Sequence, residues 1–191
     1  ASYLAQRATY EFTRNTLAYL RQGAFYDPSF IDIFRVCRWE SFAAVLADMV
    51  VVSEGHLRPA GAAGTPGLAD RLGETYAAIL ASYPTPDHRP AGWAEIEAGL
   101  RARLTQARGL APQAVDRVAR VGARRVFEVL PVYSHSRDAD FEVVENAIRF
   151  GLVGFSDRLR ARVIVSEVVA DFIARSPVRS HGEPGLRPVV P

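Results

Sequence analysis

Apolar residues recur every three to four positions along most of the chain, and alternation never persists beyond four residues, so the pattern predicts helices and no strands. From Ser2 to Gln22 the periodic positions are Leu4, Ala8, Phe12, Tyr19 and Leu20, with Gly23 where a glycine would end the helix. Asp27 followed by Pro28 is an N-cap with proline in the first helical position. It opens a second helix expected to reach about Ser53 and close near Gly55. Phe30, Ile33, Phe34, Cys37, Ser41, Val45 and Met49 share one side of it, while Val36, Trp39, Phe42 and Leu46 occupy others. Such a helix is apolar over more than half its circumference and is expected to sit centrally.

The segment Arg58 to Gly67, RPAGAAGTPG, has the composition of a flexible connection. Helical spacing resumes from Ala69 to Tyr83 through Leu72, Tyr76, Ile79 and Leu80, and a loop spans Pro84 to Pro90. A helix follows from Trp93 to Arg108, ended by Gly109, and the next starts at Ala111-Pro112 and runs to about Leu130. From about Ala139 the pattern stays helical to Arg175, with Gly151, Gly154 and Ser156 in its middle. Ser176 to Pro191 holds four of the twelve prolines and reads as an extended C-terminal tail. The expected fold is all-α: about six helices in an orthogonal or bundle-like array, forming one domain over 1–175.

Composition narrows the class. At 191 residues, 49% hydrophobic and 23% charged, the chain is a globular domain and not a disordered or low-complexity one. Its one cysteine, Cys37, excludes an internal disulfide and a thiolate metal cage, which makes a reducing cytoplasm the expected location. No uncharged apolar run approaches about 18 residues, so neither a membrane span nor export is expected. The start at Ala1 points to a processed or trimmed N-terminus. All 23 basic residues are arginine, a bias that fits a GC-rich bacterial genome. Genome bias does not explain where the arginines fall.

Between Arg101 and Arg137 there are eight arginines against Asp116 and Glu128, whereas the first sixty residues balance six against six. On a wheel of about 100° per residue, Val115, Val118, Gly122, Val126 and Val129 form one stripe. Arg117, Arg120 and Arg124 lie opposite with Phe127 beside them, an arrangement suited to phosphate or nucleic-acid contact by charge and stacking. The small net charge of +2 and the acids Asp138, Asp140, Glu142 and Glu145 that follow favour a plain solvated face instead.

Those acids suit the N-terminus of the last long helix, where the helix dipole favours negative charge. Together with Tyr133, His135, Asp138 and Glu142 are the weak candidates for general acid–base catalysis. The ExxH pairs of a di-iron bundle, HExxH, GxSxG, P-loop and GxGxxG patterns do not occur, so no metal and no cofactor are expected. A second arginine group is more suggestive. The stripe Phe141, Val144, Ile148, Leu152 and Phe155, continued past Ser156, carries Arg158 and Arg162 toward the interior. Either the helix breaks or shifts phase near Ser156, or these arginines pair with acids such as Asp32, Glu40 or Asp48 of the second helix. Arg35 and Arg38 on that helix could likewise face a pocket, so Arg35, Arg38, Arg158 and Arg162 are the candidate ligand-binding residues for a small acidic ligand.

The function this favours is a non-catalytic helical interaction or regulatory protein, self-associating as a homodimer, with an unidentified protein or small acid as partner. The alternatives are an Arg-face phosphate or nucleic-acid binder and a small-molecule enzyme built on His135.

Overall fold

The computed structural model describes residues 28–58, 67–107, 110–129 and 137–175. The expected first helix, most of the Gly/Pro connection and the C-terminal tail lie outside the described residues. Within them the protein is all-helical: α1 (Pro28–Leu57), α2 (Leu68–Ala81), α3 (Ala94–Ala107), α4 (Val115–Val129), α5 (Arg137–Arg162) and α6 (Val165–Arg175). There is no strand among these residues.

The central helix is α1, which touches all five others and packs most extensively on α4. Its sequence explains this. From Ser41 to Val52 every residue but the half-buried Ala44 is buried, so the segment has no solvent side. Its first turns project outward, and Ile31 and Ile33 are exposed there, unlike the apolar side anticipated for Ile33. α4 and α5 pack on each other and on α1, and so do α2 and α3. Tyr76 of α2, fully buried, donates its hydroxyl proton to the Ala43 carbonyl at 3.0 Å. Left-handed Gly67 (φ 83°) and Gly92 (φ 77°) turn the chain into α2 and toward α3, a conformation costly for residues with a Cβ.

Three boundaries differ from the sequence pattern, each for a physical reason. α1 continues through Gly55 to Leu57: Gly55 is not in a left-handed conformation, and Pro112 packs beside it at ordinary contact distance, 3.4 Å from where a Cβ would stand. α4 begins at Val115 and not at Ala111-Pro112. Pro112 lies against α1, and the Leu110 carbonyl is taken by the Arg58 guanidinium, which also receives the Ala107 carbonyl at the end of α3 at 2.6 Å. Arg58 is itself held by Glu54, Nε to Oε1 3.0 Å, and both are buried. The long last helix breaks between Arg162 and Val165, not near Ser156. The buried stripe of α5 passes from Phe155 to the half-buried Leu159, one step of four residues, which leaves Arg158 and Arg162 on the solvent side.

Candidate functional site

Three helices each turn a stripe of three- and four-residue spacing toward a common space. α1 supplies Glu40, Ala43, Ala44 and Ala47; α3 supplies Ile96, Gly99, Leu100 and Arg103; α4 supplies Val121, Gly122, Arg125, Glu128 and Val129. Such stripes normally interdigitate and fill the gap. Here alanines and glycines occupy the contact positions, and a cavity of about 290 Å³ remains. Ala43, Ala47, Leu100 and Gly122 are buried and form its floor; Gly99, Val121, Arg125 and Glu128 are exposed at its mouth.

Beneath the floor lies Asp48, with no exposed surface. Its Oδ1 accepts a hydrogen bond from Arg103 Nη2 at 2.8 Å, and Arg103, about one quarter exposed, reaches it from the cavity wall. Oδ2 has no hydrogen-bond partner among the described residues. Gly122 is what admits the carboxylate: a Cβ at that position would stand 2.0 Å from Oδ2. Burial pushes the Asp48 carboxyl up to about 7, against the opposing pull of the Arg103 charge and hydrogen bond.

At the other end Glu40 is clamped by Arg89, whose Nη2 donates to Oε2 at 2.8 Å and whose Nε donates to Oε1. His88 Nε2 lies 2.9 Å from the same Oε1. Burial raises the Glu40 carboxyl, but the hydrogen bonds and charges of Arg89 and His88 outweigh it and hold it below the usual range. The Arg89 guanidinium lies over the Trp93 ring, 5.1 Å from its centroid. Arg125 and Glu128 make no ion pair among the described residues, and Arg125 stands beside the hollow.

The candidate arginines fall elsewhere. Arg35 is exposed and bonds Asp32 on its own helix at 3.2 Å; Arg38 is exposed and rests over the Trp39 ring; Arg158 and Arg162 are exposed on α5. None of the four lines the cavity. Neither arginine of α5 meets Glu40 or Asp48, whose partners are Arg89 and Arg103. An internal ion pair at Asp48 exists, with a different arginine from those anticipated.

Arg117, Arg120 and Arg124 form an exposed row on α4. Phe127 is half-buried and meets Phe141 of α5 edge to face, with centroids 5.6 Å apart, instead of standing among the guanidinium groups. His135 lies outside the described residues, as does the side chain of Asp138; Glu142 is exposed. Cys37 is buried against Ser41, and burial lifts its thiol to about 11, which keeps it from acting as a thiolate nucleophile. Among the described residues no cluster of three or more His, Cys, Asp and Glu side chains could hold a metal ion. Nor is any helix among them long and apolar enough to cross a membrane.

The chain matches no protein-family model, no curated protein and no solved structure. The cavity therefore carries the functional reading on its own chemistry. Part of it was legible as a signal, since Ala43, Ala44 and Ala47 stand at helical spacing with small side chains where a core helix normally carries large ones. That signal was overshadowed by the aromatic positions around it.

Proposed function

We propose that this chain is a non-catalytic regulatory protein that binds a small acidic ligand in the cavity between α1, α3 and α4. The observation that carries this is the pairing of an apolar hollow of about 290 Å³, near the lower end of small-molecule sites, with Arg103 and Arg125 on its wall. An acid head group engages the guanidinium groups, and its aliphatic body lies along Ala43, Ala47, Ile96 and Leu100. Glu40, ion-paired with Arg89, bounds the far end. The alternative of a nucleic-acid face at Arg117, Arg120 and Arg124 is weaker because Phe127 is engaged with Phe141.

Self-association belongs to the same reading. Val143, Phe150 and Val153 are exposed by 56%, 71% and 41% along one side of α5, a face that a second copy of this chain would cover. The buried lone cysteine supports residence in the cytoplasm, and the all-arginine basic set supports a bacterial source.

Calorimetric titration with octanoate, with 1-octanol as the uncharged control, tests the site. Octanoate binds and 1-octanol does not at equal concentration; Arg125→Ala lowers octanoate affinity about tenfold or more, the worth of one charge-assisted hydrogen bond. Equal binding of both compounds, or no binding of either, refutes it. Sedimentation of wild type against Phe150→Ser tests the self-association, with a dimer expected to become a monomer.

A further inference from the structure

Arg103 has two faces: one holds the carboxylate of Asp48, the other lines the cavity. We infer that an organic anion entering the cavity takes Arg103 from Asp48, and that Asp48 takes up one proton from solvent as the anion binds. This inference rests on the reading of the cavity as an acid site and adds to it a regulation of that site by pH.

The geometry leaves Asp48 few alternatives. It has no exposed surface, no side chain among the described residues pairs with its Oδ2, and Oδ2 is pressed against the Gly122 backbone so closely that a methyl group would not fit. A second anion on the same guanidinium would leave two negative charges on one cation beneath a buried floor, an arrangement strongly disfavoured in a medium of low polarity. The charged groups near it are few. Arg103 of α3 is the side chain whose charge acts on Asp48, and α4 contributes the Gly122 backbone. Along the same cavity lie Arg125 and Glu128 of α4 and Glu40 of α1, the last neutralised by Arg89 and His88. Among the described residues no cation is recorded that would take Arg103's place on Asp48.

Proton uptake removes the conflict. One anion and one proton enter together, Arg103 stays charged throughout, and the net charge of the site does not change. The carboxyl is prepared for this, because burial already holds it at about 7, so protonation near neutral pH costs little. Ligand affinity then falls as pH rises above neutrality, approaching tenfold for each pH unit when one proton is taken up for each ligand.

Titrations of octanoate at pH 8 in phosphate, HEPES and Tris, which differ in ionisation enthalpy, test the inference. The heat varies linearly with buffer enthalpy, with a slope approaching one proton taken up per octanoate. At pH 6 the slope falls toward zero, because Asp48 is then largely protonated before the ligand arrives while octanoate is still ionised. In Asp48→Asn octanoate still binds and the slope vanishes. Binding with no buffer dependence at pH 8 overturns the linkage and leaves the acid site standing. A slope that persists in Asp48→Asn places the proton elsewhere, on the ligand itself, and also overturns it. Absence of octanoate binding at either pH refutes the acid site and the linkage with it. Where the variant folds poorly, the wild-type titrations at the two pH values still overturn the linkage if the slope at pH 8 is zero or does not fall at the lower pH.

Discussion

Gly122→Ala is the smallest change that tests how the site is built. A methyl group at this position stands 2.0 Å from Asp48 Oδ2 and 2.9 Å from Cγ, both closer than real contacts allow. The carboxylate cannot swing clear without releasing Arg103, 2.8 Å away, and the two helices bearing the clash form the most extensive contact in the fold. Overpacking of this kind costs about 1–3 kcal/mol. Losing the charged hydrogen bond adds about 1.5–3 kcal/mol. Against these, replacing a helical glycine by alanine contributes about 1 kcal/mol of stability. A net loss of about 3 kcal/mol follows, a fall in melting temperature of roughly 6–12 °C for a domain of this size. Equilibrium urea unfolding reads it as a lower midpoint at unchanged slope. Asp48→Ala in the same chain removes the obstructing carboxylate, so the double variant loses less than the two single losses combined. A neutral or stabilised Gly122→Ala protein would refute the placement of Asp48 against α4.

Other substitutions and conditions test neighbouring features. Arg58→Ala strands the buried Glu54 and releases the carbonyls of Ala107 and Leu110, at a cost of about 3–5 kcal/mol in thermal or urea unfolding, whereas Arg117→Ala on the exposed row stays within about 0.5 kcal/mol. Tyr76→Phe removes the hydroxyl that bonds the Ala43 carbonyl and costs about 1 kcal/mol. Stability also depends on pH through Asp48. Its carboxyl titrates at about 7 when folded against an ordinary 3.8, so the folded state binds the extra proton between those values. Stability contributed by that proton is fully present below about 4, declines as pH rises toward 7 and is gone above it, by at most about 4 kcal/mol. Glu40, held below its usual range, acts in the opposite sense: its contribution is present above 4.5 and lost as pH falls below that value. Urea midpoints measured from pH 2.5 to pH 8 report the two together, and Asp48→Asn flattens the upper part of the profile.

The helical order of the described residues was legible because each helix buries a stripe of large apolar side chains whose spacing survives in the sequence. Leu72, Tyr76 and Leu80 place α2, and the valines of α4 place its inner face. Boundaries were less legible where a residue has a tertiary use. Gly55 resembles a helix stop but lies inside α1 beside Pro112, and Pro112 resembles a helix start but packs on α1. The α5 stripe was continued to Arg158 by counting three residues from Phe155, while the helix buries Leu159 at four. Either step keeps to one face, and only the apolar character of Leu159 decides between them.

The site was less legible than the fold because it is made by what is missing. Ala43, Ala44, Ala47, Gly99 and Gly122 contribute no chemistry, only the space into which Arg103 and Arg125 are turned. Charge reasoning offered Asp48 only as one of three acids for the arginines of the last helix, yet its partner lies 55 positions away on α3, a separation no local period encodes. The arginines that looked informative were those clustered in sequence, and clustering on one helix favours exposure, as Arg117, Arg120 and Arg124 show. The arginine that matters to the interior stands where a neighbouring helix offers both a carboxylate and a glycine opposite it. A search of related helical chains for function is therefore better directed at small residues facing a lone buried acid than at runs of positive charge.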